Sequence, residues 1–171
     1  MSQADPDVLK MQQGLQAYGF TLLQQGRYSE AESVYTDILR RQPRHFEALH
    51  LLGIIALETN RAARGVELIE KAVKLDPRVA AAHSDLGIGL QALKLYKEAL
   101  ASYDRSIALQ ANSPQVHNNR GNVLRQLARH EQALASYDKA IALAGLCRRP
   151  PEPWNCAART QTPRSSPWKL R

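Results

Sequence analysis

The sequence predicts an all-α chain, a solenoid of helix pairs stacked one on the next, and three observations carry that prediction. Sliding the chain against itself by 34 residues superposes Gly19, Gly53, Gly87 and Gly121 without insertion or deletion, and a fixed period of this length marks a stacked repeat. Within each period apolar residues recur at three- and four-residue spacing, as on one face of a helix. Each period also has one break inside it and one at its end, so it holds two helices. Four copies span residues 12–45, 46–79, 80–113 and 114–145, after a lead-in over 1–11 and before a tail over 146–171.

Taken in order, the lead-in offers Asp5-Pro6-Asp7 as a capping acid and first-turn proline, so helix is expected from about Asp7. Leu15, Tyr18, Gly19 and Leu22 then form one helical face, and Gln25-Gly26-Arg27 breaks it. Ala31, Tyr35, Ile38 and Leu39 face a second helix that stops before Pro43. The next copy repeats this with Leu49, Leu52, Gly53 and Ala56, a break at Asn60, and Ile69, Ala72 and Val73 ahead of Asp76-Pro77. Glycine and asparagine at the break tolerate the left-handed conformation that ends a helix. Lys94 and Ala128 stand there in the last two copies, so tighter or less well capped turns are expected. Ser113-Pro114 gives the fourth copy a capping hydroxyl and a first-turn proline.

Glycine inside a helix costs roughly 1 kcal/mol relative to alanine. Four glycines at one phase therefore need a cause, which is that a side chain there would hold the paired helices apart. Ala31, Gly65, Ala99 and Ala133, twelve positions on, supply the facing small residue, and Tyr35, Ile69, Tyr103 and Tyr137 are expected to fill the space toward the next unit.

Composition bounds the function. Of the 171 residues 44% are hydrophobic and only 6% aromatic, which suits a folded core of helices rather than sheets. The polar, acidic start Met1–Asp7 lacks the regions of a secretory signal. The longest nearly apolar run, Ala48–Leu57, is too short to cross a bilayer. A soluble, cytoplasmic protein with no membrane contact is expected. The net charge of +7 suggests nucleic acid, but residues 146–171 hold +5 of it, leaving the repeats near neutral. Nucleic acid is thereby disfavoured as a partner, and Cys147 and Cys156 without a histidine at ligand spacing make no zinc site. No cofactor is expected.

The third copy reads His83-x-x-Leu86-Gly87-x-x-Leu90 with Ala99-x-x-x-Tyr103, and the first reads Leu15-x-x-Tyr18-Gly19-x-x-Leu22 with Ala31-x-x-x-Tyr35 and Pro43. This pattern resembles the tetratricopeptide repeat, over 134 of the 171 residues. It departs at Gly65, where alanine is usual, at Arg120, where leucine is, and at Ala111 and Gly145, where proline is; Arg120 is expected to thin the packing inside the fourth unit.

The resemblance implies a right-handed α-α superhelix whose first helices line a concave groove for a peptide or protein ligand, with no chemistry of its own. It places Gln13, Gln16, Ala17, Phe20 and Leu23 in the groove, then Glu47, His50, Leu51, Ile54 and Leu57. Ala81, Ser84, Asp85, Ile88 and Gln91 follow, then Gln115, Asn118, Asn119, Asn122 and Arg125. The groove is thus apolar toward its start and amide-rich toward its end. Phe20, His50, Leu51, Ile54, Leu57, Asp85, Ile88, Asn118, Asn119, Asn122 and Arg125 are the candidate peptide contacts.

A carboxylate clamp for chaperone tails is disfavoured, since the first three units present no lysine, asparagine or arginine in the groove. The phrase Asn118-Asn-Arg-Gly-Asn122 resembles the repeat arm of bacterial O-linked N-acetylglucosamine transferases, yet Asn119 alone stands at the sixth position their asparagine ladder uses. A truncated targeting arm of such an enzyme is the alternative to a scaffold. Catalysis by the repeats fails on geometry, because His83, Ser84 and Asp85 are helix neighbours pointing about 100° apart. His130-Glu131 lacks the second histidine of a metalloprotease, and Gly87-Ile-Gly89 follows no strand.

Residues 146–171 hold five of the nine prolines and both tryptophans. A repeat stack needs a polar cap at its end, and without one Leu134, Tyr137, Ile141 and Leu143 are left partly bare. Three accounts compete: the tail folds back with Trp154, the bare end pairs with another copy, or the chain is truncated or frame-shifted past residue 145. The abrupt shift in composition favours the third.

Overall fold

In the computed structural model residues 6–147 are described, with side chains from 14 to 145. They form α1 (Pro6–Gln24), α2 (Tyr28–Arg41), α3 (Phe46–Glu58), α4 (Ala62–Leu75), α5 (Ala80–Ala92), α6 (Tyr96–Leu109), α7 (Pro114–Gln126) and α8 (His130–Cys147), and no strand occurs among the described residues. The all-α expectation holds. Each helix packs on the next, and α3 touches α5 as α5 touches α7, so the odd-numbered helices take the inner side of the curve. The expected tail begins inside α8, which runs on to Cys147; the rest of it lies outside the described residues.

All four hairpin turns share one device. Gly26, Asn60, Lys94 and Ala128 adopt φ of 71°, 58°, 60° and 57°. In the third unit the Lys94 N–H donates to Gln91 O at 3.0 Å and the Leu95 N–H to Leu90 O at 2.9 Å, and the other three turns repeat both bonds. This is the two-bond termination that satisfies the last carbonyls of a helix. The expectation of tighter or poorer turns at Lys94 and Ala128 is therefore corrected. Two equal bonds hold these residues left-handed despite the cost of a Cβ, roughly 1 kcal/mol each. Between units the caps differ: Ser113 Oγ accepts from Val116 N, as expected, and His45 Nδ1 accepts from Ala48 N at 3.2 Å.

The in-register glycines sit beneath a large side chain of their own unit. A Cβ on Gly87 would lie 2.6 Å from the Tyr103 ring, one on Gly121 2.6 Å from Tyr137, one on Gly19 2.8 Å from Tyr35 and one on Gly53 2.4 Å from Ile69. The close approach expected at these glycines is present, and the nearest contact is the large side chain of the same hairpin. Tyr35, Tyr103 and Tyr137 lie over the glycine of the same hairpin, and Tyr103 also reaches the next unit as expected, lining a hollow with Gln115 and Asn119. In the second unit small packs on small, where a Cβ on Gly53 would also meet Gly65 O at 3.2 Å, and Ala31, Ala99 and Ala133 are buried at the same place in the other three.

Two apolar clusters result. One joins Leu22, Tyr35 and Ile38 to Leu49, Leu52, Ile55 and Leu68; the other joins Val66, Ile69, Leu86 and Leu90 to Tyr103, Val123 and Leu124. Each fully buried side chain of this size is worth roughly 2 kcal/mol. The seventh position of each unit bridges to the unit before it. Leu52 and Leu86 are buried there, while Arg120 donates from Nε to Asp104 Oδ1 on α6 at 2.6 Å and from Nη1 to Ser136 Oγ on α8 at 2.7 Å. Arg120 thus cross-links three helices, which corrects the expected thinning. Tyr18 occupies the same position on α1, has no preceding unit among the described residues, and is 52% exposed instead of sharing the buried face of Leu22.

Two pairs of substitutions test these contacts by urea denaturation. Gly87→Ala lowers the midpoint, because overpacking a rigid ring costs more than the helix propensity gained, whereas Gly14→Ala, with nothing within 4 Å of its Cβ, raises stability by about 1 kcal/mol. Lys94→Gly and Ala128→Gly each raise it by up to about 1 kcal/mol, and a loss at both sites would contradict the left-handed caps.

Candidate functional site

The inner faces of α1, α3, α5 and α7 form a groove with two apolar hollows. The first, about 370 Å³, lies between α1 and α3 and is lined by Gln16, Ala17, Phe20, Glu47, His50 and Leu51. The second, about 390 Å³, lies between α5 and α7 and is lined by Ile88, Gln91, Ala92, Tyr103, Gln115 and Asn119. Phe20 at 48% exposure and Ile88 at 41% are the large apolar side chains that stand open in them. Leu51, Ile54 and Leu57 are half-buried. Leu57 reaches deepest, since a Cβ on Gly65 would meet its side chain at 2.6 Å and one on Gly89 at 3.1 Å, so much of its area belongs to the core.

Between the hollows the groove is bridged by a hydrogen bond. His50 Nε2 on α3 lies 2.8 Å from Asp85 Oδ2 on α5, with the two side chains 12% and 26% exposed. The imidazole donates and the carboxylate accepts. Phe46 flanks His50 with ring centroids 5.7 Å apart. Asp85 therefore meets His50, while His83 turns the other way and sets Nε2 3.0 Å from Pro77 O. His83, Ser84 and Asp85 do not converge.

At the amide-rich end Gln115 donates to Asn119 Oδ1 at 3.3 Å and Tyr137 Oη donates to Asn122 Oδ1 at 2.8 Å. The NH₂ group of Asn122 is what that side chain can offer a ligand, whereas that of Asn119 is also placed toward Tyr103. Asn118 and Arg125 are exposed on the same helix. The structure thus brings Phe20, His50 and Leu51 to one hollow and Ile88 and Asn119 to the other, with Asp85 between.

The tyrosines under the groove were not read as part of it from sequence. Tyr103 floors the second hollow and donates to Gln91 Oε1 at 3.2 Å. Burial pushes its hydroxyl well above the usual tyrosine range, the Asp85 charge adds to this, and a hydrogen bond from Asn119 opposes it. Tyr35, fully buried, has no hydrogen-bond partner for Oη. Burial, then the Glu47 charge, pushes it up to about 12. The difference follows the graded groove. Where the later units offer Gln91, Asn119 and Asn122, the same positions around Tyr35 carry Leu23, Leu51 and Phe20. That tyrosine recurs with a polar reader in two units was the available signal.

An unmade buried hydrogen bond costs about 1–3 kcal/mol and a made one contributes about 1 kcal/mol. Tyr35→Phe is therefore expected to leave stability unchanged or raise it, while Tyr103→Phe and Tyr137→Phe lower it by about 1 kcal/mol in urea melts. A tyrosine raised in the fold keeps its proton longer than in the unfolded chain, so its stabilising effect is complete below pH 10 and lost as pH rises toward 12. Tyr35→Phe should flatten that alkaline loss.

With this geometry described, comparison with known proteins gives the family. Family models of the tetratricopeptide repeat match residues 21–80, 50–114 and 114–145. No curated protein matches the chain significantly. Among solved structures, MamA 41-end from Desulfovibrio magneticus RS-1 superposes with a TM-score of 0.75 at 20% identity, over 81% of this chain and 78% of that one. A crystal structure of MamA protein gives 0.72 at 23% identity over 78% and 73%, and another of MamA 0.70 at 24% over 74% of each. At these identities the likeness shows the fold, the α-α superhelix expected from the repeats. By its matching models and its four hairpins, the chain belongs to the tetratricopeptide repeat family.

Proposed function

We propose that the chain is a non-catalytic interaction scaffold that holds a peptide or an extended segment of a partner protein in its groove. The carrying observation is the pair of hollows with Phe20 and Ile88 open in them. Large apolar side chains in open concavities favour a partner's apolar side chain. The partner that fits places one such side chain against Phe20 and Leu51 and another against Ile88. Its backbone runs past the His50–Asp85 bridge and meets the amides of Asn119 and Asn122, which can pair with main-chain groups. Ile54, Leu57, Asn118 and Arg125 border this path. The alternative of a glycosyltransferase arm rests on Asn119 at one ladder position, and nothing in the groove geometry adds to it.

A peptide library displayed on phage and selected on the full chain tests this reading. Against a selected peptide, Phe20→Ala and Ile88→Ala should each weaken binding about tenfold or more. Asn119→Ala and Ile54→Ala should weaken it less, and Lys97→Ala on the outer helix α6 should not. Failure to select any peptide, or equal affinity in all five variants, would sink the groove as the site.

A further inference from the structure

The two ends of the described stack are bare in complementary ways. On the even-numbered helices, one face receives the helix that follows. Leu100 of α6 is 8% exposed beneath α7, in one cluster with Val116 and Val123, and Ile107 is half-buried against it. The α8 segment Ala133–Leu143 matches the α6 segment Ala99–Leu109 at nine of eleven places. Yet Leu134, in the place of Leu100, is 62% exposed, and Ile141, in the place of Ile107, is 70% exposed. Leu143, expected bare, is buried. The exposure is confined to the face that a following helix covers elsewhere in the same chain.

At the other end, α1 shows the counterpart. On α3, α5 and α7 the face turned to the preceding unit is closed, with Ala48, Ala82 and Val116 buried at its third position. On α1 the same positions are Gly14, exposed with nothing within 4 Å of a built Cβ, and Tyr18, half-exposed; Thr21, one turn further on, is exposed too.

We infer that copies of this chain associate head to tail, the α8 face of one covered by the α1 face of the next. The α6–α7 seam is the template. There Arg120 donates to Asp104 at 2.6 Å. At the new seam Asp138 stands in the place of Asp104 and Tyr18 in the place of Arg120, so the Tyr18 hydroxyl donates to the Asp138 carboxylate. Gly14 and Thr21 leave room for Leu134 and Ile141. The surfaces joined are different ones, so the contact is heterologous and continues the superhelix instead of closing a symmetric dimer. The seam lies off the groove, and the inference does not rest on the peptide reading.

Sedimentation of the full chain over about 1–1,000 µM tests it. The expected result is a mass that rises with concentration beyond the dimer. Ile141→Glu and Tyr18→Glu, each checked for an unchanged helical signal and melt, should each shift association to at least about tenfold higher concentration. Mixed in equal amounts, the two variants each retain one intact face and should form a 1:1 dimer that grows no further. A monomer at every concentration overturns the inference. So does loss of association with Ile141→Glu but not with Tyr18→Glu, which would mean that α8 pairs with itself or with another partner.

Discussion

The contact on which the rest of the structure depends is a large side chain of one helix set against a glycine of the other. In three of the four hairpins a tyrosine covers Gly19, Gly87 or Gly121, and in the fourth Ile69 covers Gly53, each closer to the missing Cβ than a real Cβ tolerates. The helices of a pair can approach closely only where the side chain is absent, and a rigid ring then holds one separation and one angle. Because the contact recurs at the same phase, each unit hands the next one the same geometry, and a solenoid follows from nearest-neighbour rules alone.

That contact also determines what the groove is made of. A tyrosine laid across the glycine carries its hydroxyl to the inner face, so the residues lining the groove decide whether the hydroxyl is satisfied. Tyr103 and Tyr137 find Gln91 and Asn122, while Tyr35, clustered with Leu23 and Leu51, finds nothing. The gradation from apolar to amide-rich is therefore more than a surface property. It reaches the packing layer, where the apolar end leaves one buried hydroxyl unmet and the amide end holds its side chains in fixed rotamers by bonds from below.

Much of this was legible in the sequence because the repeat forces register. Period, glycine phase and proline placement fixed eight helices, and Pro114 after Ser113 marked the start of α7 correctly. What was not legible depended on contacts between copies or on backbone bonds. Lys94 and Ala128 are poor left-handed residues in isolation, but two hydrogen bonds per turn override the preference. Arg120 looked like a packing fault, since its acceptors Asp104 and Ser136 stand sixteen residues away on either side. Among the groove residues, Phe20 and Ile88 stood open as position alone implied. Leu57 did not, because Gly65 and Gly89 let the neighbouring helices close over it.

A one-dimensional stack has a consequence that a globular core does not. Every internal unit is buried on two sides, so sequence drift that keeps the unit fold also keeps both of its docking faces. The fourth unit illustrates this: its α8 repeats α6 almost residue for residue, including the leucine and isoleucine that α6 uses against its successor. Those side chains add nothing to the hairpin that carries them, since Leu134 and Ile141 lie outside its core. In the association inferred above, a neighbour covers them. The neighbour with the right shape is a first helix with a small residue at its third position and an open seventh, and α1 of the same chain presents both.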